Sequence, residues 1–362
     1  MNPNRIGRFP SVLAGALAIA AFHAVSSLAH ATPVLVVDAE TRRVLYEEEA
    51  GAPWYPASTT KLMSAYVVFE ALARGEVTLD TPVVISKEAM GEASLHAGLK
   101  AGRSMRLEDA LYAMVVGSAN EVSVSLAETV AGSVDAFAGR MNDVARRLGM
   151  TASHFSNPNG LFAKDHVTTA RDLALLGVAA ATDFPQYRPL FETFQVIIDG
   201  KTLESENTLL TGFPGTIGFK TGFLCASGRN VVAMAERGGR RILVVILGAT
   251  TGRERSERAA KLMTEAFDGT LAPSGRDLAA LQNNPSLPPE DMRMRVCSDE
   301  TAAYEAKRNR LYPMGLPGEV SYLGADIAPR AYAFQTTEAA PTFDVPIPTL
   351  RPVRPYTGDR MP

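Results

Sequence analysis

The pattern of apolar and polar positions divides the chain into strands at both ends and helices between them. Pro33-Val34-Leu35-Val36-Val37-Asp38 is apolar and β-branched, Ala39 to Arg43 reads as a turn, and Val44-Leu45-Tyr46 resumes a strand, which predicts an N-terminal β-hairpin. Leu62 to Ala73, LMSAYVVFEALA, is apolar on nearly every side, the mark of a helix inside a core, and Gly75 stops it. Val83-Val84-Ile85 is a short strand. Helices follow at Leu107 to Val116, ending at Gly117, at Glu121 to Val130, from a Ser133 cap to Leu148, ending at Gly149, and at Thr169 to Ala181. From about Leu190 the period becomes extended. Strands are expected at Phe191 to Ile198, Thr216 to Thr221, Asn230 to Ala235 and Arg241 to Leu247, the last two joined by a Gly-rich turn, and Gly252 to Phe267 closes as a helix. Strands from distant segments, with a helical block between them, imply an α+β fold with an antiparallel sheet.

After Thr270 the pattern fades. Thirteen of the 23 prolines lie there, and no long period appears, so 270–362 reads as an irregular tail or a small appended module, with Val320 to Leu323 as a possible short strand. The expected organisation is therefore a leader at 1–31, a body at 32–269 and this tail. The leader reads as a cleaved secretory signal: Arg5 and Arg8 precede an apolar run from Val12 to Val25, and Ala29-His30-Ala31 is a small-x-small cleavage site. Export to the periplasm follows, without a membrane anchor, since the run is short for a bilayer span.

Composition narrows the function. Of 362 residues, 46% are hydrophobic and 21% charged, which fits a globular protein with a large core. The formal charge of −3 gives no reason to expect nucleic acid as a partner. Two cysteines, Cys225 and Cys297, are too few for a disulfide framework; one bridge is chemically allowed after export, and two buried thiols are the alternative. Outside the leader the histidines are His96, His154 and His166, with no nucleophile elbow and no metal-ligand spacing, so neither a His-based triad nor a cofactor is expected.

The chemistry concentrates in three short motifs. Ser58-Thr59-Thr60-Lys61 opens the buried helix, which puts a nucleophile and a base on one helical face within a turn. An isolated Ser-x-x-Lys is a helix cap followed by a surface lysine far more often than a catalytic pair, but a lysine at the head of a buried helix is not there by default. Ser118-Ala119-Asn120 falls in the loop between two helices, and Lys220-Thr221-Gly222 ends a strand. Each motif alone is cheap; Ser205-Glu206-Asn207 fits the second equally well. Their order and context together are specific.

On these motifs the chain resembles the serine D-alanyl-D-alanine carboxypeptidases, low-molecular-mass penicillin-binding proteins of the S11 peptidase type. The likeness runs from about Pro33 to Phe267 and includes Pro56-Ala57, His154-Phe155, Thr169-Ala170-Arg171-Asp172 and Gly252-Arg253-Glu254. It implies the fold shared by serine β-lactamases and penicillin-binding proteins. It implies Ser58 as the nucleophile, Lys61 as its base, Ser118 as a proton relay and Asn120 as a hydrogen-bonding partner of lysine and substrate. Lys220, Thr221, Gly222 and Arg253 are expected to bind the substrate and its carboxylate, with the backbone N–H groups of Ser58 and Phe223 as oxyanion donors. The implied partners are peptidoglycan stem peptides and, as covalent inhibitors, β-lactams. A β-lactamase, a D,D-endopeptidase and a non-catalytic wall-binding protein are the rival readings. Ala119 in the second motif, Arg229 after the third and Glu206 in a segment where relatives carry paired asparagines depart from the family pattern.

Overall fold

The computed structural model describes residues 32–91 and 97–339; the expected signal segment lies outside the described residues. In chain order, the hairpin β1 (Val34–Asp38) and β2 (Val44–Glu48) is followed by the buried helix α1 (Thr60–Ala73), then β3 (Pro82–Val84) and β4 (Arg103–Arg106). Four helices come next: α2 (Leu107–Val115), α3 (Asn120–Ala131), α4 (Val134–Leu148) and α5 (Ala170–Asp183). One-turn helix α6 (Arg188–Phe191), the hairpin β5 (Gln195–Ile198) and β6 (Lys201–Glu204), and one-turn helix α7 (Leu209–Gly212) lead to the long strands β7 (Thr216–Leu224), β8 (Gly228–Arg237) and β9 (Arg240–Ala249). Helix α8 (Gly252–Phe267) is followed by α9 (Arg293–Val296), α10 (Thr301–Leu311), β10 (Ala331–Phe334) and β11 (Thr337–Glu338).

The central sheet is antiparallel with order β2-β1-β9-β8-β7, so β7 is an edge strand. Strands β1, β8 and β9 are buried on both faces and read as near-continuous apolar runs for that reason. One face packs against the helical block through α5 and α1, the other against α8 through Ala259, Ala260 and Met263. In α1 eleven of fourteen residues are buried, so the helix is the axle of the helical block, as its unbroken apolar sequence requires.

Beyond Thr270 the expectation is an irregular tail or a small appended module. Much of the segment is irregular, but it is woven into the body. Strand β10 pairs in parallel with β5, and β11 pairs antiparallel with β4. Cys225, at the end of β7, is bridged to Cys297. Helix α10 escapes sequence reading because it has no apolar face: its one buried residue is Arg308, which pairs with the buried carboxylate of Glu254. Val320 to Leu323 is not a strand; Tyr322 N–H instead donates to Glu257 Oε2 at 2.8 Å. At 191–194 the chain finishes α6 and turns, so the strand expected from Phe191 begins only at Gln195. Strand β6 carries too many exposed polar positions to announce itself, and β4 has one apolar residue in four.

Candidate active site

Ser58, the expected nucleophile, is placed by a strained entry into α1. Ala57 has φ of 50°, in the left-handed region that a side chain disfavours, and begins a single 3-10 turn over Ala57–Thr59. Three clamps hold that turn. Gly160 lies so close that an added Cβ would sit 1.9 Å from the Ala57 carbonyl oxygen. Gly222 on β7 also approaches closely: a Cβ there would lie 2.7 Å from the Ser58 nitrogen. Asn230 on β8 donates from Nδ2 to the carbonyls of Tyr55 and Pro56 at 2.9 and 3.0 Å and accepts from Gly248 N–H. Buried polar groups satisfied three ways fix geometry, and Asn230 thereby bolts the nucleophile loop to the sheet. Sequence reading expected Gly222 to admit substrate; in the structure its missing side chain makes room for the Ser58 backbone.

Lys61 is fully buried one turn along α1. Its Nζ lies 3.0 Å from Ser58 Oγ, 2.7 Å from Asn120 Oδ1 and 2.7 Å from the Asn159 carbonyl oxygen. The first and second motifs therefore meet, as their order predicts. Asn120 is buried at the start of α3. Ser118 precedes it with φ of 55°, a second non-glycine in the left-handed region, half-buried beside the same cleft. Asn159 was not anticipated as a partner. Its loop is shaped locally: Asn157 Oδ1 accepts from Gly160 N–H, and Asn157 Nδ2 donates to the Leu161 carbonyl. His166 fastens this loop to α1, with Nε2 2.8 Å from Thr60 Oγ1 and Nδ1 accepting from Ser156 N–H. Burial pushes its pKa down to about 4, which keeps the ring neutral.

The third motif forms one wall of the cleft. Ser58, Ser118, Lys220, Thr221, Gly222 and Phe223 line a cavity of about 300 Å³. Lys220 is buried, with Nζ donating to the Thr221 carbonyl at 3.1 Å, and burial lowers its pKa to about 8. Phe223 is 38% exposed at the mouth, and the Arg229 guanidinium stacks 4.6 Å from its ring centroid. Leu203, Glu204 and Glu206 form the opposite rim.

One expected residue is misplaced. Arg253 turns away from the cleft and binds the chain leaving α10: it donates to the carbonyls of Tyr312 and Met314 and to Asn309 Oδ1. Two residues on, about 200° around the helix, Arg255 lies behind the cleft lining, with Nη1 3.6 Å from Oε2 of the cleft residue Glu206. Arg255 is buried and donates from Nη2 to the Glu206 carbonyl. Its Nε and Nη1 have no hydrogen-bond partner among the described residues, nor has the side-chain amide of the adjacent buried Asn207. Burial lowers the Arg255 pKa to about 10, still cationic at neutral pH. Sequence offered both arginines in Gly252-Arg253-Glu254-Arg255, and only the helix phase separates them.

The chain is similar to known proteins. Residues 21–251 match the family model described as D-alanyl-D-alanine carboxypeptidase, Peptidase_S11. D-alanyl-D-alanine carboxypeptidase DacF of Bacillus subtilis is 30% identical over 67% of this chain and 64% of its own length. DacC of Escherichia coli is 34% identical over 64% of this chain and 60% of its own. Among solved structures, penicillin-binding protein D2 of Listeria monocytogenes in a cefotaxime-bound form superposes with a TM-score of 0.61 at 31% identity, over 66% of this chain and 97% of that one. DacD of Francisella tularensis gives a TM-score of 0.64 at 26% identity, over 66% of this chain and 70% of that one. The chain thus spans a little under two thirds of the length of these two carboxypeptidases from Bacillus and Escherichia. A family match across more than half of the chain places this protein in the D-alanyl-D-alanine carboxypeptidase family of S11 peptidases.

Proposed function

We propose that this protein is an exported serine D,D-carboxypeptidase that removes the terminal D-alanine from peptidoglycan stem peptides. The observation that carries the reading is the 3.0 Å contact between Lys61 Nζ and Ser58 Oγ inside a lysine-centred network. In the neutral state Lys61 takes the Ser58 proton as Oγ bonds to the carbonyl carbon of the scissile peptide. The oxyanion is held by the backbone N–H groups of Ser58 and Phe223, each such donor contributing about 3 kcal/mol to the transition state. Collapse breaks the C–N bond, and the proton held by Lys61 passes through Ser118 to the leaving amine. Water then cleaves the acyl-enzyme, again losing its proton to Lys61.

The departing D-alanine is held by its carboxylate. Lys220 and Thr221 supply one side, and Arg255, in place of Arg253, supplies the guanidinium fork. Strand β7 lies at the sheet edge, where a peptide adds as a further strand. A β-lactam enters the same path and stays attached to Ser58. The work is done in the periplasm after cleavage of the leader; no helix among the described residues is long and apolar enough to cross a membrane. Release of D-alanine from a synthetic pentapeptide tests the reading: the parent enzyme releases it and Ser58→Ala does not. Equal release by both proteins contradicts the assignment.

A further inference from the structure

The carboxylate end of the cleft carries a feature that acyl transfer does not require. Glu206 sits on the rim with its side chain 62% exposed, and its Oε2 lies 3.6 Å from Arg255 Nη1 and 3.7 Å from Arg229 Nη1. These are ion-pair contacts, too long for hydrogen bonds. Arg229 is held in place by its stack on Phe223, while Arg255 is buried. One mobile anion therefore faces two fixed cations at the mouth of the site. Among the described residues Arg255 Nε and Nη1 have no hydrogen-bond partner, so the guanidinium is paired in charge with Glu206 but not saturated in hydrogen bonds. The same field reaches the catalytic wall, where Glu206 and Arg255 act on the Lys220 ammonium with opposite signs.

We propose that Glu206 is a specificity-determining residue, an internal carboxylate that competes with the substrate's terminal carboxylate for Arg255. The inference rests on the carboxypeptidase reading above, in which Arg255 receives that carboxylate. An incoming carboxylate has the same charge and the same two-oxygen geometry as Glu206, and with hydrogen bonds to Nε and Nη1 it binds more closely than Glu206 does. Glu206 then swings into water, which its exposure allows. The residue thus weakens binding of every carboxylate-ended peptide in the ground state, and it leaves the reacting carbon untouched. Glutamate at this position gives the site a built-in competitor and sets a higher working substrate concentration.

Steady-state kinetics of the full-length enzyme on an acylated D-alanyl-D-alanine peptide test this. Glu206→Gln lowers KM about threefold, the size of an exposed ion pair, with kcat within twofold of the parent. Glu206→Ser, which removes the charge without adding an amide, acts in the same direction. The same peptide with its terminal carboxylate converted to an amide, used as a competitive inhibitor, binds both variants and the parent equally, because it has nothing for Arg255 to exchange. With an active parent, an unchanged or raised KM in both variants, or an equal gain for the amide, overturns the role of Glu206 alone. A parent that releases no D-alanine overturns the carboxypeptidase reading and this inference with it.

Discussion

The two ends of the cleft are built on opposite principles. At the Lys61 end Nζ is fully buried and surrounded by a serine hydroxyl, an asparagine oxygen and a backbone carbonyl, all at hydrogen-bonding distance. At the Arg255 end a buried guanidinium keeps two nitrogens unpaired, beside an equally unpaired Asn207 amide and a loosely paired Glu206. The first end is complete without substrate, because a base must hold one geometry to within a fraction of an ångström for proton transfer. The second is left open, because a binding group gains from partners that arrive with the ligand. Closed networks mark where bonds are made, and open ones mark where substrate is recognised.

That contrast predicts how the ends fail. Lys61→Met removes the base from the closed end, and acylation of Ser58 slows by about 100- to 10,000-fold, read as the second-order rate of penicillin labelling. Asn230→Ala breaks the bolt under the same end. It takes the Asn230 side chain from the Tyr55 carbonyl and the Gly248 N–H, while the Pro56 carbonyl keeps Thr59, and costs about 3 kcal/mol in urea unfolding, together with a loss in kcat. Arg255→Gln acts at the open end: KM for a carboxylate-ended peptide rises about 10- to 100-fold and kcat changes little. Arg253→Gln is the matched control, leaving KM within about twofold because its hydrogen bonds run to the chain beyond α10. An effect of Arg253→Gln on KM as large as that of Arg255→Gln would erase the distinction.

The smallest effect comes from pH. Burial lowers Lys220 to about 8, so its ammonium is present below that value and lost above it. Binding of the substrate carboxylate therefore weakens as pH rises through about 8, and kcat/KM falls by at most about tenfold per pH unit. A profile flat to pH 10 would place Lys220 near an ordinary lysine value instead.

Sequence made one end of the cleft far more legible than the other. Ser58, in the 3-10 turn leading into α1, stands three residues before Lys61 on a helix whose all-round apolar character announced its burial, so their contact follows from local spacing. Ser118, Asn120 and Lys220 come from distant segments, and only the order of the motifs brought them together. The carboxylate end depends on which side of α8 an arginine occupies, and two arginines two residues apart gave no local signal to choose between them. Asn159 contributes a backbone carbonyl, which no side-chain pattern reveals. The segment after Thr270 was hidden for another reason: helix α10 buries an arginine against Glu254 instead of an apolar stripe, and its four-residue strand β10 takes its register from β5.

The most direct test of the account is the mass of the peptide containing Ser58 after the enzyme is incubated with a penicillin and digested. Covalent chemistry at the closed end predicts an increase equal to one penicillin on that peptide, absent in Ser58→Ala and retained, with slower binding, in Arg255→Gln. An unmodified Ser58 peptide, or an adduct carried by another residue, would contradict it.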